Sequence, residues 1–129
     1  MNIFGLGAKK KKILVVEDNL DIAENLEARL TVQGYEVLMA PDGKEGVEKP
    51  RAELPDLVIL DVMMPKIDGY QACRIIKHDE KTRHIPVLML TSLQLMGDAE
   101  KAFEAGADDF LSKPFTNDQL LRKIRKHVP

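Results

Sequence analysis

The stretch LPDLVILDVMMPKIDG, residues 54–69, constrains this chain more than any other. Four consecutive apolar residues, Leu57, Val58, Ile59 and Leu60, run straight into the carboxylate of Asp61, and Pro65 and the pair Asp68-Gly69 then break the backbone and open a helix. An apolar run of this length bounded by turn residues reads as a strand covered on both faces, the kind found in parallel sheets. It delivers Asp61 to its carboxyl end, and in open α/β sheets ligands collect in the crevice beyond those ends. Position alone makes Asp61 a candidate site residue.

Four further strands are predicted around it, over 13–16, 35–40, 86–90 and 109–112. The first ends at Glu17-Asp18, the fourth at Thr91-Ser92, and the fifth at Lys113-Pro114. Between them lie helical patterns. Asn19 or Asp21 can cap a helix carrying Ile22, Leu26 and Leu30 inward and stopped by Gly34. A second helix should begin near Gly43 and be short, because Pro50 cannot donate a backbone hydrogen bond; a loop would then run to Pro55. Asp68 caps a third helix with Ala72, Cys73 and Ile76 on one face. After a loop containing Leu93, Leu95 and Met96, a fourth helix from about Asp98 turns Ala99, Ala102 and Phe103 inward and ends at Gly106. The last helix opens on a capping box, Thr116 with Gln119, and buries Leu120, Leu121, Ile124 and Val128. Strands alternating with helices make successive βα units, whose right-handed crossovers bring the polar strand ends to one edge of an α/β parallel sheet.

With 129 residues the chain has room for one domain with a real core. Nineteen Lys+Arg against 21 Asp+Glu give a formal charge of −2, which speaks against direct nucleic-acid binding. The one cysteine, Cys73, cannot form an internal disulfide and reads as a core residue, which fits the cytoplasm. Residues 1–11 read as a flexible basic leader, apolar at first and then lysine-rich, with a weak membrane-surface tether as the lesser reading. No apolar run approaches the ~20 residues of a membrane span. His78, His84 and His127 lie on polar segments and read as surface histidines.

Glu17, Asp18 and Asp61 gathered at one edge would repel by about 4 kcal/mol per pair at ~4 Å, and one lysine cannot offset three such pairs. A divalent cation can, and an all-oxygen site suits Mg²⁺, with Mn²⁺ as a substitute, better than zinc. A carboxylate beside such a cation, with the Thr91 hydroxyl and the Lys113 ammonium, is an arrangement for phosphoryl transfer to Asp61. The plain alternative is a structural salt-bridge cluster.

VVEDN at the first strand end, LDVMMPKIDG at the third, LTS at the fourth and KPF at the fifth closely resemble the receiver domain of bacterial two-component response regulators. The resemblance covers residues 12–128. It implies a (βα)₅ doubly wound, flavodoxin-like fold with strand order 2-1-3-4-5, and a receiver domain over 12–129. By position it implies Asp61 as phosphoacceptor, Asp18 as direct Mg²⁺ ligand, Glu17 as the acid that holds the metal through water, and the backbone carbonyl of Met63 as the remaining protein ligand. Thr91 and Lys113 match the phosphoryl-contacting hydroxyl and ammonium, and the N–H groups of Met63 and Ser92 would complete the phosphoryl cradle. Lys113-Pro114 matches a cis peptide, and Phe110 the aromatic switch position that works with Thr91. The implied protein is no enzyme in the ordinary sense: it takes a phosphoryl group from a sensor histidine kinase or phosphotransfer protein and catalyses only its own phosphorylation and dephosphorylation. It would then bind a downstream target through its fourth helix, fifth strand and fifth helix, as a monomer or a phosphorylation-dependent dimer.

Two other readings share parts of this pattern. A haloacid-dehalogenase-type enzyme needs a second acid two residues past its nucleophile, where Met63 stands. A flavin carrier wants a phosphate loop after the first strand, where Glu17-Asp18-Asn19 would repel it. A receiver cut from a longer regulator, with a diguanylate cyclase output for example, or a structural pseudo-receiver, remain the alternatives within the fold.

Overall fold

The computed structural model describes residues 10–64, 67–91 and 98–129. Pro65, Ser92, Leu93, Leu95, Met96 and residues 1–9 of the leader lie outside them. Five strands, β1 (Lys12–Val16), β2 (Glu36–Ala40), β3 (Leu57–Asp61), β4 (Val87–Thr91) and β5 (Asp109–Ser112), alternate with α1 (Leu20–Val32), α2 (Gly43–Glu53), α3 (Gly69–His78), α4 (Asp98–Glu104) and α5 (Asn117–His127). The strands form one sheet in the order β2-β1-β3-β4-β5, every neighbouring pair parallel. Each strand boundary falls within one residue of the expectation.

The apolar runs are explained by cover on both faces. Ile13 and Val15 of β1 with Leu57 and Ile59 of β3 pack against Leu26 and Leu30 of α1 and Leu120 and Ile124 of α5. Leu14, Val16, Val58 and Leu60 point the other way, onto Ala72, Cys73 and Ile76 of α3 and Ala102 of α4. Each buried Leu or Ile contributes roughly 1.5–3 kcal/mol by leaving water. This two-sided core fixes the register, and the register fixes which side chains reach the carboxyl edge. Burial also pushes the Cys73 thiol up to about 12, so it stays protonated and packs as an apolar group.

Helix ends follow the expected local chemistry. Asn19 Oδ1 accepts from Ile22 N at 3.1 Å, and Gly34, at φ 95°, closes α1. Thr116 and Gln119 form the capping box of α5, and Asp68 and Gln71 form another on α3.

Three expectations fail. Helix α2 is not cut short: it runs eleven residues with Pro50 inside it. The lost hydrogen bond and ring crowding cost about 3 kcal/mol in a helix interior. Against that, Pro50 is buried, Asp42 caps the start by accepting from Glu45 N at 2.9 Å, and Leu54, at φ 47°, closes the end by donating to Pro50 O at 3.0 Å. Tertiary packing outweighs the local signal. Ile22 is exposed and Ala23 takes the inward place on α1; Ile22 instead lines a groove with Leu26, Leu90, Lys113, Pro114 and Phe115. Phe103 is likewise 54% exposed. Its small neighbours Ala102 and Ala105 face the sheet, while its ring packs edge-on against Phe110, centroids 6.1 Å apart.

Candidate functional site

Four strand ends meet at the carboxyl edge. Asp61, the last residue of β3, is 5% exposed, and the Lys113 ammonium stands 3.0 Å from its Oδ1. Lys113 follows β5, is joined to Pro114 by a cis peptide, and donates its backbone N–H to Thr91 O at 2.7 Å. That bond ties the ends of β4 and β5 together, with the Thr91 side chain buried beside them. Glu17, directly after β1, is also buried; its Oε2 accepts from Asn19 N at 3.1 Å, and Lys113 Nζ lies 3.7 Å from its Oε1. Asp18 is exposed at the mouth.

The backbone behind Asp61 is held by a close approach. A Cβ on Gly69 would stand 2.4 Å from Asp61 O, so only glycine lets the start of α3 lie against the end of β3. Gly69 N donates to Val62 O at 3.0 Å, which closes the loop carrying Met63. Met63, two residues past Asp61, is 59% exposed.

Glu17, Asp18 and Asp61 offer carboxylate oxygens all within 4.8 Å of one another. Like charges at that separation repel by roughly 3 kcal/mol per pair at an effective dielectric near 20, about 10 kcal/mol for three, whereas Lys113 supplies one positive charge. The imbalance appears in Glu17: burial, with the Asp61 charge adding to it, pushes its carboxyl from an ordinary 4.5 up to about 7, although Asn19 N–H and Lys113 favour the ionised form. Among the described residues, Glu17 Oε1 is also the buried side-chain oxygen with no hydrogen-bond donor. A buried, unsatisfied carboxylate oxygen in an all-oxygen cluster fits a hard divalent cation such as Mg²⁺.

The sequence-predicted residues Glu17, Asp18, Asp61, Met63, Thr91 and Lys113 thus come to one edge, while Ser92 lies outside the described residues. Phe110 is half-buried on β5, on the α4 side of the sheet. A second polar cluster escaped the sequence reading. Asp109, 5% exposed, is bonded to Lys123 at 2.8 Å and His127 at 3.0 Å, with Lys126 at 3.5 Å. His127 is therefore no free surface histidine. Burial works against the Asp109 charge, yet Lys123 and His127 hold its carboxyl well below the usual carboxylate range. The signal was Asp109 at the head of a strand facing Lys123 and His127, one turn apart on α5.

Among the described residues no helix is long and apolar enough to cross a membrane. The family model for the response regulator receiver domain matches residues 13–125. The chain is 47% identical over 116 residues to probable transcriptional regulator ycf27 of Cyanophora paradoxa, covering 90% of this chain and 47% of that protein. It is 45% identical over 114 residues to response regulator PleD of Caulobacter vibrioides, covering 88% of this chain and 25% of that one. The chain thus spans half or less of these relatives' length. Among solved structures, the receiver domain of sensor histidine kinase PA1611 from Pseudomonas aeruginosa, with a magnesium ion coordinated in its active-site cleft, superposes with a TM-score of 0.86 at 35% identity, covering 93% of this chain and 98% of that one. The doubly wound sheet, the acids and lysine at its carboxyl edge and the family match over most of its length agree: this chain belongs to the response regulator receiver domains.

Proposed function

We propose that this receiver is a phosphorylation-controlled switch whose acceptor is Asp61. The observation that carries the reading is the Lys113 ammonium 3.0 Å from Asp61 Oδ1, beside two further carboxylates. The donor is the phosphohistidine of a sensor histidine kinase or phosphotransfer protein. An Asp61 oxygen forms the new P–O bond as the P–N bond breaks, and the leaving electron pair stays on the donor imidazole. Glu17, Asp18, Asp61 and the Met63 carbonyl would hold Mg²⁺, or Mn²⁺ in its place. When bound, the cation supplies positive charge to the phosphoryl oxygens. Lys113 moves its charge from Asp61 toward those oxygens, Thr91 donates its hydroxyl, and the N–H groups of Met63 and Ser92 close the cradle. The protein acts on no other substrate and catalyses only its own phosphorylation and dephosphorylation.

Output follows from the same groups. Thr91 drawn toward the phosphoryl group vacates space that Phe110 fills, and the Phe110 ring carries the change to Phe103 on the exposed side of α4. The α4-β5-α5 surface is then read by a target protein in the cytoplasm, with the receiver a monomer or a phosphorylation-dependent dimer and no direct contact to nucleic acid. A second reading, favoured by the greater length of ycf27 and PleD, makes this segment the receiver of a longer regulator, whose output domain would be the target. Residues 1–11 are a basic leader outside the receiver unit.

Phosphorylation by acetyl phosphate with Mg²⁺ tests the acceptor. Wild type should gain one phosphoryl group by mass spectrometry, and Asp61→Asn none, with unchanged circular dichroism. A full adduct on the variant refutes the assignment.

A further inference from the structure

Strand β2 ends at Ala40 and brings no polar side chain of its own to the carboxyl edge, yet its last residue and the start of α2 touch the backbone on both sides of the acidic site. On one side, Ala40 O accepts the backbone N–H of Glu17 at 3.0 Å. Gly46, in the first turns of α2, lies so close to Val16, the residue before Glu17, that a Cβ there would stand 2.7 Å from Val16 Cγ1. On the other side, a Cβ on Gly43 would stand 2.3 Å from the backbone oxygen of Ile67 and 2.8 Å from its Cβ. Ile67 belongs to the connection between β3 and α3, which also carries Met63. That connection is pinned at its α3 end by the Asp68 cap and by Gly69 N–H on Val62 O. The turn itself is stiffened by Asp42, whose carboxylate accepts from Glu45 N and whose carbonyl accepts from Gly46 N at 2.9 Å.

We propose that the β2–α2 turn, through Gly43, is a positioning element that sets the spacing between the Glu17-Asp18 acids and the segment bearing the Met63 carbonyl. Gly43 touches no ligand and acts through Ile67. The obstacle a methyl group meets there is backbone, which cannot swing aside as a flexible side chain would. With the α3 end pinned, the displacement falls on the segment that carries Met63, and the oxygen set opens.

The inference rests on the Mg²⁺ reading above. Calorimetric Mg²⁺ titration should find the Kd of Gly43→Ala weakened about tenfold, while Ile124→Val, a core change on the opposite face of the sheet, stays within a factor of two of wild type. A Gly43→Ala Kd within threefold of wild type overturns the proposal, since a merely structural glycine would lower the Tm and leave Mg²⁺ affinity alone. Anything weaker, with Ile124→Val unchanged, supports it. If Gly43→Ala does not fold, wild type decides: the Gly43 amide signal should shift in NMR spectra as Mg²⁺ is added, and an unmoved signal overturns the proposal. A wild type that binds no Mg²⁺ removes the metal reading and this inference with it, an outcome distinct from the failure of Gly43 alone.

Discussion

Glu17 makes the metal-free protein lose stability as pH rises, against the trend of most acids. Its carboxyl ionises near an ordinary 4.5 in the unfolded chain but only at about 7 in the fold, because burial and the Asp61 charge oppose the ionised form. Between those values the folded state keeps a proton that the unfolded state has lost. The contribution of this group is therefore intact below pH 4.5, declines as pH rises, and levels off above pH 7. The shift corresponds to at most about 3 kcal/mol. Glu17→Gln removes the titration and keeps an oxygen for Asn19 N–H. Urea unfolding in EDTA near pH 5 and near pH 8 should show wild type losing up to about 3 kcal/mol relative to the variant across that interval. Saturating Mg²⁺ should stabilise wild type more near pH 8 than near pH 5, since the cation requires ionised Glu17. A wild type and variant with the same pH slope would mean that Glu17 is not the strained acid of this site.

Three further outcomes follow from named contacts. Asp109→Asn should cost about 2 kcal/mol in urea unfolding at neutral pH, because it leaves Lys123 and His127 without their buried anion; the two proteins should converge as pH falls below 3.8, where wild-type Asp109 progressively loses its advantage over the unfolded chain. Pro50→Ala should raise Tm, since a restored donor and the loss of ring crowding return up to about 3 kcal/mol, less the packing of the buried ring; a lower Tm would show that the ring packing dominates. Met63→Asn should speed loss of phosphate from Asp61 about tenfold, ~1.4 kcal/mol of barrier, by giving water an orienting partner where an apolar side chain stands. Phosphate release after removal of the donor measures it, and an unchanged or slower rate refutes the role of Met63.

Much of the fold was legible because a parallel strand covered on both faces is written as an unbroken apolar run, and its end as the first polar residue after it. Leu57 to Leu60 before Asp61 is the plainest case, and the caps at Asn19 and Thr116 are local enough to read directly. What failed was whatever depends on a neighbour distant in sequence. Pro50 is a helix breaker only in isolation: the caps at Asp42 and Leu54 and the packing of the whole helix carry α2 through it. Phe103 has the hydrophobicity of a core residue, but α4 and the residue after it meet the sheet through Ala102 and Ala105, and the large ring is left exposed. The ion cluster at Asp109 joins residues 14 and 18 positions apart, on a strand and a helix whose facing sides only the packed structure brings together.

The same logic explains why side chains of the site were readable and its frame was not. A carboxylate, hydroxyl or ammonium at a strand end advertises itself by its chemistry, so Asp61, Glu17, Thr91 and Lys113 could be gathered by position alone. Their spacing is held by groups with no such signature: Ala40 O on Glu17 N–H, Thr91 O on Lys113 N–H, and the bare Cα atoms of Gly43 and Gly69 against backbone. A backbone oxygen belongs to every residue, and a glycine in a turn reads first as conformational freedom. At Gly43 and Gly69 no positive φ is involved, and glycine is required by proximity instead. Strand β2, whose end carries no polar side chain, therefore bears on the site through the backbone of Ala40 and through Gly43 at the start of α2.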